Sequence, residues 1–121
     1  MTNRITDMTT IYHNPRCSKS RQTLQLLNDK GIEPTIVEYL KTPPVEEELR
    51  RILTLLKMRP FDLVRTKESL FTDLGLKAKL DDDQAILDAM LEHPQLIERP
   101  IVIHGNKAVI GRPPEKVIDL L

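Results

Sequence analysis

The chain has 121 residues, with 18 Lys and Arg against 18 Asp and Glu and therefore no formal net charge. That size suits one hydrophobic core, and a single cysteine excludes both a disulfide framework and a zinc site built on paired cysteines. Balanced charge, two Tyr, two Phe and no Trp argue against a broad nucleic-acid surface, and no apolar run reaches signal-peptide or membrane-span length, so a cytoplasmic protein is expected.

Met1–Asp7 is polar and reads as a loose leader, which leaves residues 8–121 as one domain. Thr9 to His13 is rich in β-formers and is stopped by Asn14-Pro15, which predicts a strand and a turn. A helix is expected from Ser18 to Lys30, with Leu24 and Leu27 on successive turns and Gly31 as its stop. Pro34 to Leu40 alternates and reads as a second strand, completing a βαβ unit with parallel strands.

Thr42 and Pro43 then predict a helix start, Thr42 as N-cap and Pro43 at the first helical position, with Leu49, Ile52, Leu53 and Leu56 facing inward. Further helical segments are expected from Pro60 to Val64, Glu68 to Leu74 and Asp83 to Glu92, where His93-Pro94 interrupts. The run Asp81-Asp82-Asp83 reads as N-cap and first-turn charge, not a metal site. Ile101–Ile103 and Ala108–Ile110 flank a Gly105-Asn106 turn, the pattern of a hairpin. Pro113-Pro114 opens a last helix with Val117, Ile118 and Leu121 as its apolar face. The order βαβ, helical block, ββα is that of an α/β thioredoxin-like fold: a mixed four-stranded sheet with a helical insertion.

Cys17 stands between the first strand and the first helix, where unpaired N–H groups and the helix dipole favour a thiolate. No Asp or Glu occurs from Met8 to Asn28, whereas Arg16, Lys19 and Arg21 surround the cysteine. Three positions on stands Ser20, so the motif is C-x-x-S and any redox cycle needs an external thiol such as glutathione or a glutaredoxin. A C-x5-R oxyanion loop fails on spacing, because Thr23 occupies the arginine position. Arg99 before Pro100 and Arg112 before Pro113 bracket the hairpin. In a thioredoxin-like fold the proline entering that strand is usually cis and lies beside the nucleophile, which would carry Arg99 toward Cys17. Arginine grips tetrahedral oxyanions bidentately. His13 and Ser20 are candidate thiol-activating residues; His13 either lowers the thiol pKa by a hydrogen bond or charge, or merely caps the strand end. His93 and His104 read as loop or surface residues, and the histidines lack metal-ligand spacing.

Four segments resemble the glutaredoxin-coupled arsenate reductase (ArsC) family and, within it, a short YfgD-like subgroup. They are Tyr12 to Cys17, Tyr39 to Pro44, Glu92 to Val102 and Gly111 to Pro113, in an alignment running from about Thr9 to Leu121. The resemblance implies Cys17 as nucleophile, Arg65, Arg99 and Arg112 as oxyanion-binding arginines, and His13 as an influence on thiol ionisation. It further implies reduction of arsenate to arsenite through a Cys17–arsenate adduct, with glutathione as co-substrate, glutaredoxin as partner and no bound cofactor. Nothing in the sequence suggests an obligate interface, so a monomer is expected. Better-studied members read C-G-T-S where this chain has Cys17-Ser18-Lys19-Ser20, so a glycine is lost and a charge gained. Two other functions suit the superfamily. A regulator resembling the Spx proteins would bind RNA polymerase, but its C-x-x-C switch is broken by Ser20. A glutathione-dependent thiol transferase suits C-x-x-S but leaves three arginines without a task.

Overall fold

The computed structural model describes residues 9–121, and the leader expected over Met1–Asp7 lies outside them. The chain forms two compact units, one of residues up to Thr42 with Arg99–Leu121, the other Pro43–Glu98.

The first unit holds strands β1 (Thr9–Tyr12), β2 (Thr35–Val37), β3 (Ile101–His104) and β4 (Lys107–Ile110), in the order β2-β1-β3-β4. β1 runs parallel to β2 and antiparallel to β3, which pairs antiparallel with β4, so the sheet is mixed as the sequence predicts. Helix α1 (Ser18–Asp29) crosses between β1 and β2 and ends on Gly31 at φ +78°, a left-handed position that glycine adopts without penalty. Ile11, Leu27, Ile32, Val102 and Val117 form the core, with Leu24, Leu26, Val109 and Leu120 packed around it. Their burial ties α1 and the C-terminal segment to the sheet.

Three elements of this unit depart from the sequence reading. β2 covers only Thr35–Val37 because the chain turns at once, the Glu38 carbonyl accepting from both the Lys41 and Thr42 amides. The last helix, Pro114–Leu120, is 3₁₀ and not α-helical. His104 is no loop residue: it ends β3, and its Nδ1 lies 2.7 Å from the Thr9 hydroxyl.

The second unit holds α2 (Glu46–Leu56), α3 (Pro60–Leu63), α4 (Ser69–Asp73) and α5 (Asp83–Glu92), with 3₁₀ turns at Leu76–Lys79 and Pro94–Leu96. The expected start of α2 at Thr42-Pro43 is wrong by three residues. A proline disfavours helical backbone in the residue before it, so Pro43 and Pro44 hold the chain extended. Val45 is the N-cap, at φ −80° and ψ 166°. Three glutamates, Glu46 to Glu48, then meet the positive end of the helix dipole. α5 begins where predicted, with Asp82 accepting from the Ala85 amide. Leu49, Ile52, Leu63, Ile86, Leu87, Met90 and Leu96 are buried. No helix of the described residues is long and apolar enough to cross a membrane.

Candidate active site

Strand register gathers the candidate residues. Tyr12 of β1 pairs with Ile101 of β3, which in turn pairs with Ile110 of β4. The end of β1, the start of β3 and the end of β4 therefore coincide at one edge of the sheet. The residues just beyond these points are His13 to Cys17, Arg99-Pro100 and Gly111-Arg112, so segments over 80 positions apart in sequence become neighbours. The Arg99–Pro100 and Arg112–Pro113 bonds are both cis. The first matches the expectation from the fold; the second had no counterpart in the sequence reading.

The turn that carries the cysteine is held at every residue. The Cys17 amide donates to the Asn14 carbonyl (2.9 Å), and Asn14 Oδ1 accepts from the Arg16 amide (3.0 Å). Arg21 reaches back from α1 to donate to the Pro15 carbonyl (2.8 Å). Ser20, fully buried, accepts from the Asn14 amide at 3.0 Å and lies 2.6 Å from His13 Nδ1. Burial pushes the His13 pKa down and the Arg21 charge adds to this, against the opposing field of Glu38. His13 Nδ1 and the Ser20 hydroxyl share this hydrogen bond, so His13 braces the turn. Of the roles the sequence left open, supplying positive charge to the thiol is the one its lowered pKa disfavours.

Cys17 is itself the N-cap of α1, and no side-chain oxygen caps this helix. Burial alone would push the thiol pKa up. The backbone N–H of Ser20, the hydrogen bond and charge of Arg99 and the N–H of Lys19 act the other way and bring it below its ordinary value. Arg112 adds a second guanidinium, its Nη2 lying 3.5 Å from the sulfur. Its Nε donates to the Arg99 carbonyl at 2.7 Å, so the two arginine segments are fastened together. The site thus presents a nucleophilic sulfur, two guanidinium groups and a helix N-terminus, an arrangement suited to a tetrahedral oxyanion.

Gly111 and Thr23 are the residues sequence reasoning missed. A Cβ on Gly111 would stand 2.6 Å from Thr23 Oγ1 and 2.9 Å from Pro100 Cγ, closer than real contacts allow. Thr23 is fully buried on α1, and its hydroxyl donates to the Lys19 carbonyl (2.8 Å). The end of β4 can therefore lie against α1 only because residue 111 has no side chain. Glycine beside Arg112 was the available signal, but its partner Thr23 could not be read without the fold.

Five of the six candidate residues, Cys17, His13, Ser20, Arg99 and Arg112, thus come together in the first unit. Arg65 belongs to the second. There its Nε lies 3.8 Å from Glu98 and its Nη2 3.9 Å from Glu68. Its Nη1 is buried without a hydrogen-bond partner among the described residues. No group of three or more His, Cys, Asp or Glu among the described residues is placed to hold a metal ion.

Comparison with known proteins places the chain among relatives. The sequence model of the ArsC family matches residues 12–120. The uncharacterized protein YfgD of Escherichia coli is 47% identical over 118 residues, covering 97% of this chain and 99% of that one. A protein named arsenate reductase in Haemophilus influenzae is 50% identical over 113 residues, 92% of this chain and 97% of its own length. Among solved structures, one titled arsenate reductase from Vibrio cholerae superposes with a TM-score of 0.91 at 47% identity, over 95% of this chain and 99% of that chain.

Proposed function

The chain belongs to the ArsC family, and on that ground we propose that it reduces arsenate to arsenite through Cys17, with glutathione as co-substrate and a glutaredoxin as electron donor. The observation that carries this reading is the sulfur itself: a thiol with a lowered pKa, hydrogen-bonded by Arg99 and 3.5 Å from Arg112. Arg99 and Arg112 hold the oxyanion and balance its charge, so that an anionic sulfur can approach an anionic substrate.

The Cys17 thiolate attacks arsenic, and one oxygen leaves as water after protonation, giving a sulfur–arsenic(V) bond. The glutathione thiol displaces a second oxygen as water. A glutaredoxin thiolate then attacks the glutathione sulfur; the sulfur–arsenic bond breaks, and its electron pair stays on arsenic, which becomes As(III). The two other sulfurs are oxidised to a mixed disulfide. Water hydrolyses the remaining Cys17–arsenic bond, releasing arsenite and the thiol. One cysteine suffices because every reducing equivalent comes from outside, and a reducing cytoplasm is the compartment that supplies them.

The test is a coupled assay with arsenate, glutathione, glutaredoxin and NADPH-driven regeneration. Turnover is expected, Cys17→Ser abolishes it, and Arg99→Ala or Arg112→Ala raises the arsenate KM about tenfold, the size of one charge-assisted contact. Full activity in Cys17→Ser removes the cysteine from the mechanism. An absence of turnover combined with capture of RNA polymerase favours a binding regulator instead.

A further inference from the structure

The chemistry proposed above needs an external thiol to reach the arsenic bound to Cys17, since Ser20 stands where a resolving cysteine would be. We propose a seat for that thiol, taken as glutathione, a small peptide with a carboxylate at each end and one ammonium group. The seat is a groove between the two turns that follow the parallel strands β1 and β2. This inference rests on the arsenate-reducing reading and adds to it the place where the second substrate binds.

The groove encloses about 410 Å³ and is walled by His13, Asn14, Pro15 and Arg16 on one side and Glu38, Leu40 and Lys41 on the other. Its volume lies in the range of small-molecule sites. Its position is the crevice outside the carboxyl ends of parallel strands, where open α/β sheets bind their ligands. One wall is the turn that presents Cys17. In the strand order β2-β1-β3-β4, the groove flanks β1 on the β2 side, whereas Arg99 and Arg112 flank it on the β3 and β4 side. Oxyanion and peptide thus take seats on different flanks of the turn that carries Cys17, and the peptide thiol has to extend from the groove to the arsenic.

The charges of the groove match the ligand. Arg16 and Lys41 are exposed cations for two carboxylates, and Glu38 is a carboxylate for one ammonium. Lys41 and Glu38 lie 3.4 Å apart with side chains 80% and 41% exposed. A pair so exposed is weak and exchanges partners readily. Leu40, an exposed apolar side chain, offers a ledge for the peptide's methylene groups. Both walls are fixed in advance, one by the Asn14–Arg16 and Arg21–Pro15 hydrogen bonds, the other by the amides of Lys41 and Thr42 on the Glu38 carbonyl. Little ordering is then left to oppose binding.

S-methylglutathione, which has no free thiol to react, is the probe, titrated into the full-length protein without arsenate and followed by ¹⁵N NMR. Shifts are expected to cluster on residues 14–16 and 38–41, and Arg16→Glu and Lys41→Glu each weaken binding about tenfold. In turnover, Lys41→Glu raises the glutathione KM about tenfold, and an unchanged glutathione KM counts against the groove. No binding, shifts centred elsewhere, or native affinity in both variants overturns the groove. Arsenate protection of Cys17 from iodoacetamide is measured in parallel. If that protection is absent while the peptide binds as described, the arsenate reading falls and the groove assignment stands.

Discussion

At the level of single residues, the reactivity of Cys17 is a contest between burial, which opposes a thiolate, and the N–H groups and guanidinium that favour it. The balance gives an expected outcome. The rate of iodoacetamide alkylation plotted against pH should have its midpoint below the ordinary ~8.5 of a free thiol. Arg99→Ala removes both a hydrogen bond and a charge while burial remains, so its midpoint should move up; an unchanged midpoint would separate Arg99 from the thiol. Much of this was legible from residue type and position: a lone cysteine at a strand-to-helix junction, basic neighbours, and two arginines bracketing a hairpin. The part played by Ser20 was not, because its buried hydroxyl acts on the backbone of Asn14 and on the His13 ring, and such bonds leave no trace in spacing.

Secondary elements place these residues, and a close joint lies between the end of β4 and α1. Gly111→Ala forces Thr23 and the Pro100 ring apart, so a loss of about 1–3 kcal/mol is expected in urea unfolding, as for other overpacked sites. It should also raise the arsenate KM, because Arg112 is the next residue. Adding Thr23→Ala deletes two of the three clashing atoms and should restore part of both; no recovery would mean that Pro100 alone sets the joint. The elements themselves were readable where periodicity and punctuation agree. The first strand, the hairpin and α5 fall where expected, because β-branched runs, Gly-Asn and an Asp N-cap all act locally. The start of α2 was misread because Pro43-Pro44 satisfied the rule for a proline at a helix start, whereas the restraint each proline places on its predecessor dominates. The 3₁₀ form of the last helix was not legible either, since Val117, Ile118 and Leu121 are spaced as on an ordinary α-helical face.

For the molecule as a whole, folding stability carries the signature of one buried base. His13 is held neutral in the native state with its pKa below the ordinary 6.5. Between that lowered pKa and ~6.5 the unfolded chain binds the extra proton, so its contribution to stability is complete above ~6.5 and is lost as pH falls through this window. The slope is bounded at about 1.4 kcal/mol per pH unit for one proton. Chemical denaturation from pH 5 to 8 should show it, and His13→Asn should flatten it; an identical pH profile in the variant would assign the acid sensitivity to other groups. The site also draws on both ends of its unit: the nucleophile comes from residue 17 and the second guanidinium from residue 112, with the whole of Pro43–Glu98 between them in sequence. Synthesis proceeds from the N-terminus, so a ribosome exposes this sulfur long before the residue that completes its surroundings. A nascent chain therefore carries this cysteine without the guanidinium of Arg112, and the full set of neighbours exists only in finished molecules.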